Sequence, residues 1–317
     1  MFLSKIHGEK QHQLFTRLYG LYEKGLTFLL HSPSIRSYII DVLHNPRLSI
    51  CTDEHTLIFE HEFDRYLYYE IGCNETFYFF NIQMYMKCLH TIEQLVGSVL
   101  ITQYNVPMLQ KLTSTLFHKT AFIVYMETYT HKNKLRYRAD KISCHMLKLA
   151  AKFGFISDSL YIALYYYKTL RYTEALSVLE MIKVKLAQPY ATYMYNFNLG
   201  PEMYPEAVRG QSWSLKMRQT VAWANRLYHE IHYISELIPE QESAFQKKSS
   251  ALGIPPLILL YMLEILCYKH VDTMRAQAAL DDLQTLIHYE EGQIIPLLFR
   301  DISWRILEIC QQEIGNI

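Results

Sequence analysis

His229-Glu230-Ile231-His232 is one place where residue types and spacing approach a known chemistry, since two imidazoles flanking a carboxylate could hold zinc and activate water. A helical zinc protease needs its histidines at i and i+4 on one face, and Tyr233 occupies i+4 from His229. The tetrapeptide therefore reads as structural, with Cys267 and His270 only remote candidates to complete a metal set. Gly210-Gln211-Ser212-Trp213-Ser214 lacks the second glycine of a hydrolase nucleophile elbow, so Ser212 reads as a turn or cap residue. The densest basic stretch is Lys132, Lys134, Arg136, Arg138 and Lys141, interleaved with Tyr129 and Tyr137. On a helix, Lys134, Arg138 and Lys141 share one face that could contact nucleic-acid phosphates. Asp140 and the chain's neutral balance favour an ordinary solvated face. The 26 tyrosines could stack on bases, but at helical spacing they more often fill grooves between helices.

The elements that would position these residues are helical. Glycine and proline number only 11 and 10 in 317 residues, and no proline falls between Arg47 and Val106 or between Met108 and Gln188. Leu14, Leu18, Leu21, Gly25 and Phe28 follow one helical face. Ala175, Leu179, Ile182 and Leu186 do the same, as do Ala279, Leu283, Leu286 and Ile287, and Ile302, Ile306 and Ile309. No comparable series has period 2. The segment from Thr56 to Asp64 is ambiguous and is read as helix. Residues 189–212 carry Tyr190, Tyr193 and Tyr195 with Gly200, Pro201, Pro205 and Gly210, and lack helical spacing. They read as one long irregular loop, and long loops without regular structure are often functional. Tyr190, Tyr193, Tyr195 and Trp213 are thus the expected partner-binding residues.

Lysine plus arginine and aspartate plus glutamate each number 31, so the net charge is zero. A chain devoted to a polyanion usually shows a basic surplus. Half the residues are hydrophobic, which suits a folded chain with a sizeable core. Lys5 and His7 interrupt any N-terminal signal-like run, and the apolar stretch 257–263 is too short to span a bilayer. Six scattered cysteines read as buried thiols. The expectation is a soluble, cytoplasmic chain without cofactor, metal or membrane contact.

Internal repeats refine the fold. Ala163, Tyr166, Arg171-Tyr172, Ala175, Leu179 and Pro189 resemble the tetratricopeptide pattern, with Leu170 where the turn glycine usually stands. A second unit is expected over 257–287, with extra turn residues from His270 to Thr273. A third begins with Trp304, Leu307 and Gly315 at the pattern's positions and Glu308 in place of a small residue. A closing helix lacking its partner is expected to expose an apolar face.

Three stretches together resemble the C-terminal part of the Mab-twenty-one-like proteins, relatives of cyclic GMP-AMP synthase, in their helical-repeat molluscan versions. They are Met1 to Ile6 with Leu14 to Leu30, Ile156 to Leu176, and Arg300 to Gln311. The resemblance implies that residues 1–32 end a helical lobe, 33–153 form a helical array region, and 154–317 form the repeat region. Catalytic relatives carry a Gly-Ser followed by paired acids that hold Mg²⁺. Here Gly97-Ser98 sits in a helical run with no acid before Glu127, and no Gly-Ser precedes Glu60, Glu62 and Asp64. No catalytic residue can be named. The expected fold is an all-α helical array, and the expected function is a non-catalytic protein-interaction module binding a protein or a second copy. The alternative is an accessory segment of a nucleic-acid-sensing nucleotidyltransferase.

Overall fold

Helix α1 (Asn105–Thr128) carries buried Leu109, Leu112, Leu116, Phe117, Ala121, Phe122 and Val124 around most of its circumference, the pattern of a helix enclosed by its neighbours. Its threonines are accommodated by back-bonding: Thr113 Oγ1 donates to Leu109 O at 2.7 Å and Thr128 Oγ1 to Val124 O at 2.8 Å. Helix α2 (Asn133–Phe153) is amphipathic and lies against α1 through Ala139, Ile142, Met146, Leu147 and Ala150. Two serines bolt the pair, Ser143 Oγ donating to Ala121 O at 2.8 Å and Ser114 Oγ to Ala150 O at 2.9 Å. The computed structural model describes residues 83, 85, 87–90, 92, 105–128, 133–188, 192–193, 211–289, 295 and 297–315. These divide into two units, the first holding α1 and α2 with residues 212–217, the second the remainder from Phe155 onward.

In the second unit the chain enters through a 3-10 turn, Ile156–Ser159, where Asp158 Oδ2 accepts the Phe155 N–H at 2.8 Å. Helix α3 (Leu160–Lys168) buries every residue from Leu160 to Tyr166. It closes on Leu170, whose φ is +62°. The Leu170 and Arg171 N–H groups return to the carbonyls of Tyr167 and Tyr166 at 2.9 and 2.8 Å, a Schellman closure that normally takes glycine. Helix α4 (Tyr172–Leu186) then packs back on α3. Helices α7 (Pro256–Val271) and α8 (Thr273–Tyr289) form the second hairpin, with Asp272 alone between them. The expected extra turn residues are therefore absent: the apolar pattern of α7 runs on through Tyr268, and His270 and Val271 are still helical.

Helix α7 organises this unit, lying against α3, α4, α8 and the last helix, α9 (Arg300–Gly315). Its buried set, from Ile258 through Cys267, covers nearly all sides, as a helix with neighbours all round requires. The described structure is thus an all-α helical array. The expected apolar face on α9 does not occur. Ile306, Leu307, Ile309 and Cys310 are buried, while Asp301, Arg305, Glu308, Gln311 and Gln312 point outward. A polar outward side is how a half-buried helix meets water.

Between the hairpins lies the part least visible in the sequence. Thr192–Tyr193 form strand β1, which pairs in parallel with β2 (Thr220–Val221), so a stretch expected to be irregular contains a strand. Helix α5 (Trp213–Gln219) precedes β2. Strand β3 (Asn225–Tyr228) pairs antiparallel with β4 (Ala251–Ile254), with helix α6 (Ile238–Gln246) between them. This insert is fastened to the first hairpin by buried polar groups. Tyr161 OH accepts the Arg226 N–H at 2.8 Å and donates to its carbonyl at 3.0 Å, and Asn225 Nδ2 donates to Ser157 O at 2.9 Å. At Gly253 the backbone passes so close to the Phe299 ring that a Cβ would stand 3.0 Å from it.

Candidate functional site

Tyr190 and Tyr195 lie outside the described residues, as do the side chains of Tyr193 and Trp213, whose backbones belong to β1 and α5. Lys134, Arg138 and Lys141 are all exposed on α2. The structure brings them onto one face and extends it: His145, Lys148 and Lys152 continue the 4-3-4-3-4 spacing, with Lys148 and Lys152 exposed and His145 half-buried. Burial and the adjacent Lys148 hold the His145 imidazole below its ordinary pKa. The stripe stands opposite the face buried on α1 and runs about 27 Å. Asp140, the sole acid in this helix, lies off the line, with Cys144 Sγ 4.0 Å from its Oδ1. The sequence held the signal for the second half of the stripe in the same spacing, which only had to be followed past Lys141.

The histidine tetrapeptide is taken up in packing. His229 stacks on Phe245 at 4.3 Å, its Nδ1 3.2 Å from Ser250 O, while His232 is exposed. Cys267 is buried in α7, where burial pushes its thiol up to about 12, and His270 stacks on Tyr172 at 4.2 Å. Among the described residues no three His, Cys, Asp or Glu side chains gather as a metal site.

Sequence reasoning missed a surface at the turn end of the two hairpins. The Tyr172–His270 stack sets the start of α4 beside the end of α7, so the two hairpin turns adjoin. Three large apolar side chains stand out from these turns: Leu170, 72% exposed, Val271, 50%, and Met274, 80%. The base beneath them is tied by hydrogen bonds and ring contacts. Tyr167 OH donates to Glu236 Oε1 at 2.5 Å and its ring meets Tyr172 at 5.8 Å. Lys168 Nζ donates to the carbonyls of His232 and Tyr233, and the Arg171 guanidinium covers the Tyr166 ring at 4.3 Å. Burial, and then the bonded Glu236 carboxylate, push the Tyr167 phenol well above its ordinary pKa, so it remains a neutral donor.

A buried charge lies deeper, between α4 and α7. Glu264 is 1% exposed, its Oε2 2.7 Å from Lys183 Nζ and its Oε1 without a hydrogen-bond partner. Burial raises the carboxyl above its usual range; Lys183 opposes that shift, and Glu180 and Asp282 add to it. Lys183 also lies over the Tyr261 ring at 5.1 Å. Removing two charges from water costs free energy that their attraction only partly offsets, which makes this pair a restraint on packing geometry more than a source of stability.

No protein-family model, curated protein or solved structure matches this chain.

Proposed function

We propose that this chain is a non-catalytic helical-repeat module that binds another protein through the turn edge formed by Leu170, Val271 and Met274. The observation that carries the reading is Leu170 itself. A left-handed leucine costs about 1–2 kcal/mol that a glycine would avoid. Holding a large apolar side chain in water at such a position is a strained arrangement of the kind that accompanies function. Single exposed apolar residues are ordinary, but three on adjoining turns over a hydrogen-bonded aromatic base form a coherent patch. On this reading the helix pairs α3/α4 and α7/α8 are degenerate tetratricopeptide-like units, and the partner is another protein or a second copy of the chain. The kinship with Mab-twenty-one-like proteins belongs to the same proposal.

Replacing Leu170 by glycine separates binding from folding. The Leu170→Gly chain, alone and with Met274→Ser, retains its helical signal while capture of its partner, or self-association, falls by at least about tenfold, read by co-purification and sedimentation. Undiminished association in the double variant contradicts the proposal. A second reading, an accessory nucleic-acid contact of a sensing nucleotidyltransferase, draws its support from the basic face of α2. Its signature is binding that falls steeply with salt as phosphate counterions are released.

A further inference from the structure

We propose that the basic stripe of α2 docks an acidic helix of a protein partner, an inference that rests on the interaction-module reading and adds a second surface to it. Five side chains of the stripe, Lys134, Arg138, Lys141, Lys148 and Lys152, are exposed, and His145 completes the line. Three features of the stripe select the occupant. Its positions recur every seven residues, 134, 141 and 148 on one row and 138, 145 and 152 on the other, the heptad repeat at which two helices stay in register along a shared seam. It is one side chain wide on a single helix, and the chain as a whole carries no basic surplus, whereas a duplex presents two phosphate strands and rewards a broad cationic surface. Finally, the apolar side of α2 is already buried on α1, so the helix has no apolar face to lay into a lipid surface. A partner helix with Glu or Asp at the same 4-3 spacing runs its carboxylates along the exposed lysines and arginines, and exposed Tyr137, beside Lys134 and Lys141, adds an aromatic flank that can cover the partner's aliphatic stems.

The test uses the full chain and three probes: a designed helical peptide of about 20 residues with glutamates at 4-3-4-3-4 spacing, a scrambled peptide of identical composition, and a 20-base-pair duplex of RNA or DNA. Fluorescence anisotropy at about physiological salt reads each affinity. The patterned peptide is expected to bind at least about tenfold more tightly than the scrambled one and than the duplex. The Lys141→Glu/Lys148→Glu chain, unchanged in thermal melt, loses that binding and regains it with a peptide whose two facing glutamates are lysines. Equal affinity for both peptides, or tighter binding of the duplex, overturns the proposal. Partner capture that survives the charge reversal likewise overturns the stripe but leaves the turn-edge reading standing. Loss of capture only in Leu170→Gly, with peptide discrimination absent, overturns the stripe in the same way.

Discussion

Leu170 and Glu264 each hold a conformation or a charge without which the fold would be more stable, and each yields a measurable consequence. Relief of the left-handed leucine, less the entropy that glycine returns to the unfolded chain, raises the stability of the Leu170→Gly chain by about 1 kcal/mol. Chemical denaturation reads this gain, and a net loss of stability would show that the side chain is anchored rather than displayed. At Glu264 the informative change is to its partner. Lys183→Met leaves a carboxylate at 1% exposure without its cation; with Lys183 itself 34% exposed and partly screened, the expected loss is about 2 kcal/mol at neutral pH. The sign of the pH dependence follows from the raised carboxyl. An acid whose folded pKa lies above its unfolded value contributes stability that is present at low pH and lost as pH rises through the folded pKa. The gap between wild type and Lys183→Met therefore narrows as pH falls into the acid range, whereas Lys183→Met/Glu264→Gln, with no carboxyl left to titrate there, loses this contribution to the pH dependence. A gap that widens in acid would contradict the buried-charge account.

Among the elements, the insert between the two hairpins depends most on a few polar contacts. Tyr161→Phe removes the hydroxyl that both accepts from and donates to the Arg226 backbone, at a cost of about 1–2 kcal/mol. Hydrogen exchange should quicken first at Asn225–Tyr228 and Ala251–Ile254 and little in α8; uniform quickening would mean the insert is not a separately fastened element. The same elements mark what was legible in the sequence. The helices α4, α8 and α9 were, because Ala175, Leu179 and Ile182, then Ala279 and Leu283, then Ile306 and Ile309 keep one face each and are buried on that face. The strands were not, because two and four residues are too few to show an alternation. The end of α7 was obscured by its own apolarity, since a helix buried on nearly all sides has no stripe from which to judge where it stops. The turn edge escaped for another reason: it depends on the Tyr172–His270 stack between residues almost a hundred positions apart, and only the Leu170-for-glycine substitution hinted at it.

For the whole molecule, a neutral total conceals a marked local asymmetry. Equal numbers of acidic and basic residues leave little long-range field, yet α2 gathers five of its six lysines and arginines into one line, with Arg136 off it. Short-range, register-dependent recognition suits that distribution better than steering toward a polyanion does. In the second unit exposed apolar side chains gather at the hairpin turns, with others on the outer side of α4 (Met181, Val184), at Phe245 and at Leu297–Leu298, while the outward side of α9 is polar. The measurement that bears most directly on the central claim is site-specific photo-crosslinking in the full chain, with a benzophenone side chain at Met274 on the turn edge and, as control, at exposed Gln284 on α8. A protein-binding turn edge gives a discrete adduct from Met274 alone, destroyed by protease, indifferent to nuclease, and lost when Leu170 is replaced by glycine. A nuclease-sensitive adduct, or equal labelling from both positions, would contradict it.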